Sequence, residues 1–255
     1  MDEQQQQVYK FPTEVIDLPS GGKLYGKDSP LYGGKIELKY MTAKEEDILT
    51  SQNLIKKGLV IEKLLNSLIM TPGVHIDDLF LGDKNAVMVA SRILGYGPEY
   101  ICEVTHPRTY DKKEYTFNLA DCPFNELPED VDYTKNEFEF NLPLAKTKIT
   151  WKILNGHDEN LIDDEIKKTS KLTKDVKPEL TTRLKHVITS INGDTDTKNI
   201  YSFVDNLLSR DSILLRNEIQ RVTPDINLKQ EIEFEEGDSV TVNIPMTVGF
   251  FWPKS

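Results

Sequence analysis

Cysteine is scarce in this chain, which has only Cys102 and Cys122 among its 255 residues. Two cysteines do not make the disulfide framework that stabilises small secreted domains. Long apolar runs are also missing, and none approaches the ~18 residues of a membrane-spanning helix. The start, Met1-Asp2-Glu3 followed by four glutamines, lacks the apolar segment of a signal peptide. These absences predict a soluble protein that folds in a cytoplasm and does not enter a membrane.

Positive charge is in deficit as well. The chain has 31 Lys and Arg against 42 Asp and Glu, which gives a formal charge of −11 at pH 7. Binding to a phosphate backbone requires clustered Lys and Arg, and no basic run here is longer than two adjacent residues. The charge balance therefore argues against nucleic acid as the main partner.

Sequence signatures of catalysis are absent. No G-x-S-x-G motif and no phosphate-binding loop occurs, and Gly95-Tyr96-Gly97 follows a predicted helix where a phosphate site would precede one. The consecutive carboxylates Asp163-Asp164-Glu165 and Glu129-Asp130 diverge around a helix axis, so solvated surfaces are expected rather than acid/base pairs. We expect a protein that is not an enzyme and has no cofactor.

Two metal motifs are incomplete. Cys102, His106 and Cys122 are candidate zinc ligands around a hairpin, but a structural zinc site takes four ligands, normally as two close pairs. The alternative is that the two cysteines are small buried or half-buried residues on strands. Asp194-Thr195-Asp196-Thr197 resembles the start of a calcium loop. The positions that would hold Gly and Glu carry Asn199 and Asp205, which favours an Asx-rich turn.

The stretch from Lys35 to Leu94 organises the predicted fold. A short strand precedes Thr42, which forms a capping box with Glu45 and starts a helix. A second cap at Asn53 starts one longer helix through Ile69, with Gly58 as its weak point. A third helix runs from Asp83 or Asn85 to Leu94.

Alternating and helical periods continue along the rest of the chain. Strands are predicted at 100–105, 114–119, 138–142, 149–153, 226–234 and 240–244, and helices at 158–168, 177–191, 198–208 and from a cap at Asp211 to Val222. The expected class is α+β: a helical core with antiparallel β-hairpins and an extended N-terminal arm.

Composition divides the chain at an acidic stretch. The predicted parts are a flexible tail (1–10), a region of strand, helical core and hairpin (11–122), an acidic loop (123–136), and a region of strands, helices and a C-terminal hairpin (137–255).

Aromatic residues near both ends are the candidate interface. Trp and other aromatics are frequent anchors between subunits. The alternative for the tail is that it packs back on its own domain. The candidates are Phe250, Phe251 and Trp252 at the C-terminus and Phe11 and Tyr25 at the N-terminus.

Several segments in a fixed order resemble a known family. They are Leu18–Tyr25, Gly34–Leu38, Met41–Leu49, a Leu-rich helix, Asp78–Asp83, Arg92–Gly97 and a terminal Pro253 after aromatics. This arrangement resembles the T4-type contractile-phage baseplate hub and hub-assembly family over about residues 11–253. Many members of that family carry Cys-x-x-Cys pairs near the hairpin and again near the last strands. The corresponding segments here, Cys102–Pro107 and Ile232–Asp238, have none, so the resemblance implies a hairpin that has lost its metal.

The resemblance implies a virion structural protein of the tail baseplate, made in the host cytoplasm. Its partners would be other hub or tail proteins, with a homo-oligomer possible and no nucleic acid or membrane. A hub assembly chaperone that leaves before maturation is the first alternative. A degenerate zinc-ribbon nucleic-acid binder is the second.

Overall fold

A computed structural model of the chain describes residues 11–170, 177–235, 238–246 and 248–252. The predicted flexible tail, residues 1–10, lies outside the described residues, as do Glu236 and Gly237 of the last predicted turn. Helices and small antiparallel sheets alternate along the chain, which confirms the α+β class. No helix within the described ranges has the length and apolar character needed to cross a membrane.

The first sheet pairs β1 (Thr13–Asp17) with β2 (Lys35–Lys39) in antiparallel register. Ile36 and Leu38 of β2 are almost fully buried, as their alternation predicted. The N-terminal arm is thus one strand of a hairpin whose loop, residues 18–34, lies on the helices that follow.

The helices of the first half are α1 (Ala43–Thr50), α2 (Gln52–Lys57), α3 (Val60–Leu68) and α4 (Leu81–Tyr96). The predicted capping box is present, because the Thr42 amide donates to Glu45 Oε2 at 2.9 Å. The single long helix from Asn53 to Ile69 was wrong. Ser51, not Asn53, precedes α2, and Gly58 ends that helix in a left-handed conformation with φ of 70°.

Antiparallel hairpins follow, as predicted. β3 (Glu99–Thr105) pairs with β4 (Lys112–Asn118), and β5 (Phe138–Leu142) pairs with β6 (Thr147–Trp151). One element was missed, because β6 also pairs with β7 (Ile188–Ile191), a segment predicted as the end of a helix.

The remaining helices are α5 (Gly156–Ser170), α6 (Glu179–Val187), α7 (Thr197–Asp205) and α8 (Ser209–Val222), and the last hairpin joins β8 (Lys229–Glu235) to β9 (Asp238–Asn243). Asp211 does not cap α8 as predicted. Its buried carboxylate accepts hydrogen bonds from the Leu144 and Ala145 amides, at 3.1 and 2.8 Å, and so fixes the turn between β5 and β6.

Buried apolar side chains form two cores. The first core draws on residues 18–122 and again on 226–251, and the second core draws on residues 133–222. The acidic stretch 123–136 therefore leads from one core to the other. The C-terminal hairpin returns to the first core, although its sequence neighbours belong to the second.

The two cores meet along a seam of main-chain contacts. The Leu81 amide donates to the Leu154 carbonyl at 3.2 Å, and the Gly156 amide donates to the Leu79 carbonyl at 3.1 Å. Gly82 lies against Pro224, where a Cβ atom would fall 1.8 Å from the proline carbonyl oxygen. The close approach of α4 to the chain after α8 thus depends on the missing side chain of Gly82.

Candidate binding cleft

The aromatic tail lies inside the first core. Phe250 and Phe251 are each 1% exposed, and the Phe250 ring meets Tyr100 edge-on at a centroid distance of 5.0 Å. The Arg92 Nε–H donates to the Phe250 carbonyl at 2.9 Å, and Trp252 packs partly buried on the same core. Phe250 and Phe251 are therefore core residues of their own chain, and an interface role for the tail stays a prediction.

Tyr25 fastens the loop between β1 and β2 to the start of α4. Its hydroxyl donates to Asp83 Oδ2 at 2.7 Å, and Asp83 also accepts from the Ser20 amide and hydroxyl. Burial and the neighbouring Asp83 charge raise the pKa of Tyr25 far above its ordinary value. Burial also raises the pKa of Asp83, against the opposing effect of these hydrogen bonds. Tyr25 is thus a structural contact here, and its interface role also stays a prediction.

Phe11 lies apart from these groups. It is 43% exposed, and the Lys39 ammonium lies 5.3 Å from the centre of its ring. The five candidate aromatics therefore contact different parts of the fold and do not form one patch.

The candidate zinc ligands have other partners. His106 Nδ1 accepts from the Arg108 and Thr109 amides, and its ring meets Phe234 edge-on. Cys122 Sγ lies 3.8 Å from Gln230 Nε2, and burial raises the pKa of its thiol. Within the described ranges, no three His, Cys, Asp or Glu side chains are grouped as metal ligands.

The Asx-rich turn predicted before α7 is confirmed. Asp194 accepts hydrogen bonds from the Asp196 amide at 2.8 Å and from Asn199 Nδ2 at 2.7 Å. Asp196 in turn caps α7 by accepting from the Lys198 amide at 2.8 Å. These carboxylates are therefore engaged in local backbone geometry.

A cleft of about 990 Å³ opens at the seam between the cores. Its walls come from the start of α4, the chain after β6, helices α6 and α8, and strands β8 and β9. The apolar floor includes Leu154, Leu184 and Val187 from the second core and Ile226 and Leu228 from the first. The cleft exists only because the two cores dock.

Cations outnumber carboxylates in this cleft, although the chain as a whole is acidic. Three of the cations have acidic partners outside the cleft: Lys152 with Asp158, Arg183 with Glu159, and Arg221 with Asp130 and Glu218. Arg216 and Lys229 have no carboxylate within 4.0 Å among the described residues. Asp225 is the acidic group in the lining. Burial raises its pKa, against the effect of a hydrogen bond from Asn85.

Amide side chains complete the polar lining. Those of Asn125, Asn217, Gln220 and Asn243 make no hydrogen bond to the described part of the chain. Each offers two N–H donors and a carbonyl acceptor, the same groups that pair with a peptide backbone. Sequence reasoning missed this site because its residues are scattered from 81 to 243 and carry no local motif.

One protein-family model matches the same stretch of the chain that forms the two cores. The family model described as T4 bacteriophage base plate protein matches residues 10–252, which takes in both cores, the seam and the cleft. Neither the search of curated proteins nor that of solved structures found a match. Because one family model accounts for nearly the whole chain, the chain belongs to the T4 bacteriophage base plate protein family.

Proposed function

We propose that this baseplate protein is a hub component retained in the virion, where it holds neighbouring tail proteins through non-covalent contacts and performs no covalent chemistry. Membership of the baseplate family, over residues 10–252, makes it a phage baseplate structural protein and is the observation on which the proposal depends. The finer role in the hub is supported by the order of segments from Leu18 to Pro253, which resembles that of the baseplate hub and hub-assembly family.

The cleft supplies a way to hold a neighbour. An extended peptide segment presents backbone N–H and C=O groups to the Asn and Gln side-chain amides that line the cleft. An acidic side chain on that segment would pair with Arg216 or Lys229. The apolar floor accepts a non-polar side chain of the same segment. A stable protein interface buries about 1,200–2,000 Å², so the cleft would be one part of a larger contact surface.

The retained-component proposal is tested on purified phage particles. Quantitative mass spectrometry of intact virions and isolated baseplates should find this protein in a fixed ratio to the other baseplate proteins. Absence from mature particles, together with binding to hub or tape-measure proteins in infected lysate, would contradict retention and identify an assembly chaperone.

The cleft is tested by charge reversal. The double variant Arg216→Glu, Lys229→Glu should lower incorporation into particles about tenfold or more, because each change replaces an attraction for an acidic segment with repulsion. Both side chains are exposed, so the melting temperature should stay unchanged. Arg210→Glu is the matched control, since Arg210 is exposed on α8 but lies outside the cleft. Equal incorporation of both variants would remove the cleft from the proposal.

The alternative of a nucleic-acid binder is tested by a DNA-binding assay. Fluorescence anisotropy with a labelled DNA duplex at low salt should show no binding, because the net charge of −11 repels phosphates. Binding that weakens steeply with added salt would instead favour the zinc-ribbon alternative.

A further inference from the structure

The hydrogen-bond ladder between β1 and β2 leaves one edge of β1 without a partner. At its two ends the Tyr40 amide donates to the Pro12 carbonyl at 3.2 Å, and the Leu18 amide donates to the Gly34 carbonyl at 2.8 Å. Hydrogen-bonded pairs alternate along an antiparallel ladder, so Glu14 and Ile16 bond inward to β2. The N–H and C=O groups of the alternate residues, 13, 15 and 17, point outward.

Nothing in the described part of the chain covers this edge. The outward groups of Thr13, Val15 and Asp17 have no hydrogen-bond partner among the described residues. The central side chain, Val15, is 58% exposed, and the register runs through without a bulge. Edge strands are normally protected by Lys, Pro, other charges or a bulge. Pro12 lies just before β1 and the strand carries Glu14 and Asp17, but Thr13–Asp17 contains no Lys, no Pro and no bulge.

We propose that the outer edge of β1 binds the same edge of a second copy of this chain. The two β1 strands run antiparallel across a two-fold axis at Val15, so that each Val15 faces its equivalent and Thr13 faces the partner's Asp17. In this register all the outward groups of one strand meet those of the other. The result is a continuous four-stranded sheet, β2–β1–β1–β2.

The β1 edge can pair with itself without opposing like charges. In the proposed register Thr13 faces the partner's Asp17, and each of these side chains is already held within its own chain, Thr13 by Glu37 and Asp17 by Lys35.

The outer edge of β3 is less available. Its outward residues are Glu99, Ile101, Glu103 and Thr105, and the Glu99 carbonyl already accepts a hydrogen bond from Arg92 at 3.2 Å. A two-fold at Ile101 would also set Glu99 against the partner's Glu103. The β1 edge has all its outward backbone groups free among the described residues, so we place self-association there.

The expected strength follows from the number of bonds. Three pairs of outward residues exchange about six hydrogen bonds, because each such pair makes two. At about one hydrogen bond per 100–200 Å², this corresponds to roughly 600–1,200 Å² of buried surface. That area is at the lower end for specific complexes, so the dimer should be reversible and depend on protein concentration.

The proposal is tested on the full chain by analytical ultracentrifugation over a concentration series. The wild type should move from 29.2 kDa towards twice that mass. Val15→Lys should weaken dimerisation at least tenfold by placing two ammonium groups face to face, and Val15→Glu should do the same. An equal mixture of the two variants should dimerise again, because a Lys now faces a Glu. Ile101→Lys, the matched change at the β3 edge, should leave the dimer intact.

Hydrogen exchange gives a second test that needs no variant. As concentration rises, the amides of Thr13, Val15 and Asp17 should become protected, while those of Glu14 and Ile16 are protected throughout. A chain that stays monomeric at all concentrations would overturn the proposal, as would a dimer unaffected by Val15→Lys. Failure of the Lys and Glu variants to recombine would rule out the two-fold register at Val15. Protection of these amides only when another baseplate protein is added would assign the edge to that protein and overturn self-pairing.

Discussion

Single carboxylates in this chain bind the backbone of segments distant in sequence. Asp83 and Asp211 are both 0% exposed. Asp83 was predicted, with Asn85 as the alternative, to start a helix, and Asp211 was predicted to cap one. Asp83 instead binds Ser20 and Tyr25, and Asp211 holds the turn at Leu144. An aspartate near a helix start does indicate that its carboxylate binds backbone N–H groups. Which N–H groups it binds depends on the loops that the fold brings to that helix start.

The charge of Glu45 makes the stability of the first core depend on pH. Burial disfavours its charge, but hydrogen bonds from Lys39 and Thr42 outweigh that effect and lower the pKa of Glu45. A lowered folded-state pKa gives stability that is present above the unfolded value and lost as pH falls through the folded value. Glu45→Gln should therefore cost about 2 kcal/mol at pH 7.

The measurement is the melting temperature as a function of pH. The difference between wild type and Glu45→Gln should narrow as pH falls below the ordinary glutamate value of about 4.3. Glu46→Gln is the control, since Glu46 is the exposed neighbour on the same helix. A gap that stays constant down to low pH would show that the Glu45 charge does not stabilise the fold.

Phe250 is expected to stabilise the protein as a core residue. Phe250→Ala should lower the free energy of unfolding by about 3–5 kcal/mol, because the change leaves a cavity next to Tyr100 and Phe251. Urea denaturation of the isolated protein measures this. Phe124→Ala is the control, since that ring is 40% exposed and should cost far less. A small loss for Phe250→Ala would return the tail to the surface as a candidate anchor.

At the scale of elements, periodicity located the strands and helices better than it located their ends. The hairpins β3–β4, β5–β6 and β8–β9 followed from alternation. Ile188 and Ile191 continued a helical apolar face in sequence, yet the chain leaves α6 at Val187 and pairs with β6. The segment becomes a strand because it pairs with the edge of β6 that β5 leaves free. That edge is distant in sequence, so a local apolar pattern carries no information about it.

Gly58 is the clearest element boundary. Its φ of 70° is available to glycine at little cost, whereas an L side chain is strained there. Gly58→Ala should lower the free energy of unfolding by about 1–2 kcal/mol, measured by urea denaturation. Gly26→Ala is the control, because Gly26 is exposed with open space around its Cβ position. A stabilised Gly58→Ala variant would mean that α2 and α3 prefer to join into one helix.

At the scale of the whole molecule, the seam couples the cores and forms the cleft. Gly82→Ala would place a methyl group against the Pro224 carbonyl, where backbone must move to admit it. We expect a loss of at least about 3 kcal/mol and unfolding curves by far-UV circular dichroism and fluorescence that no longer coincide.

Gly95→Ala is the matched control for the seam. Gly95 lies on the same helix, and the three atoms nearest to its new methyl group all belong to the flexible side chain of Met41. That variant should keep a single transition. Coincident curves and unchanged stability for Gly82→Ala would show that the two cores do not depend on this contact.

The sequence by itself determined the α+β class, the Thr42 capping box, the hairpins and the family resemblance, because each depends on residues close together in the chain. Only the tertiary structure decided that the C-terminal hairpin joins the first core, that Phe250 is buried, and that scattered amides and cations line one cleft. Those outcomes depend on how much apolar surface each core removes from water, and that quantity belongs to the packed chain rather than to any segment.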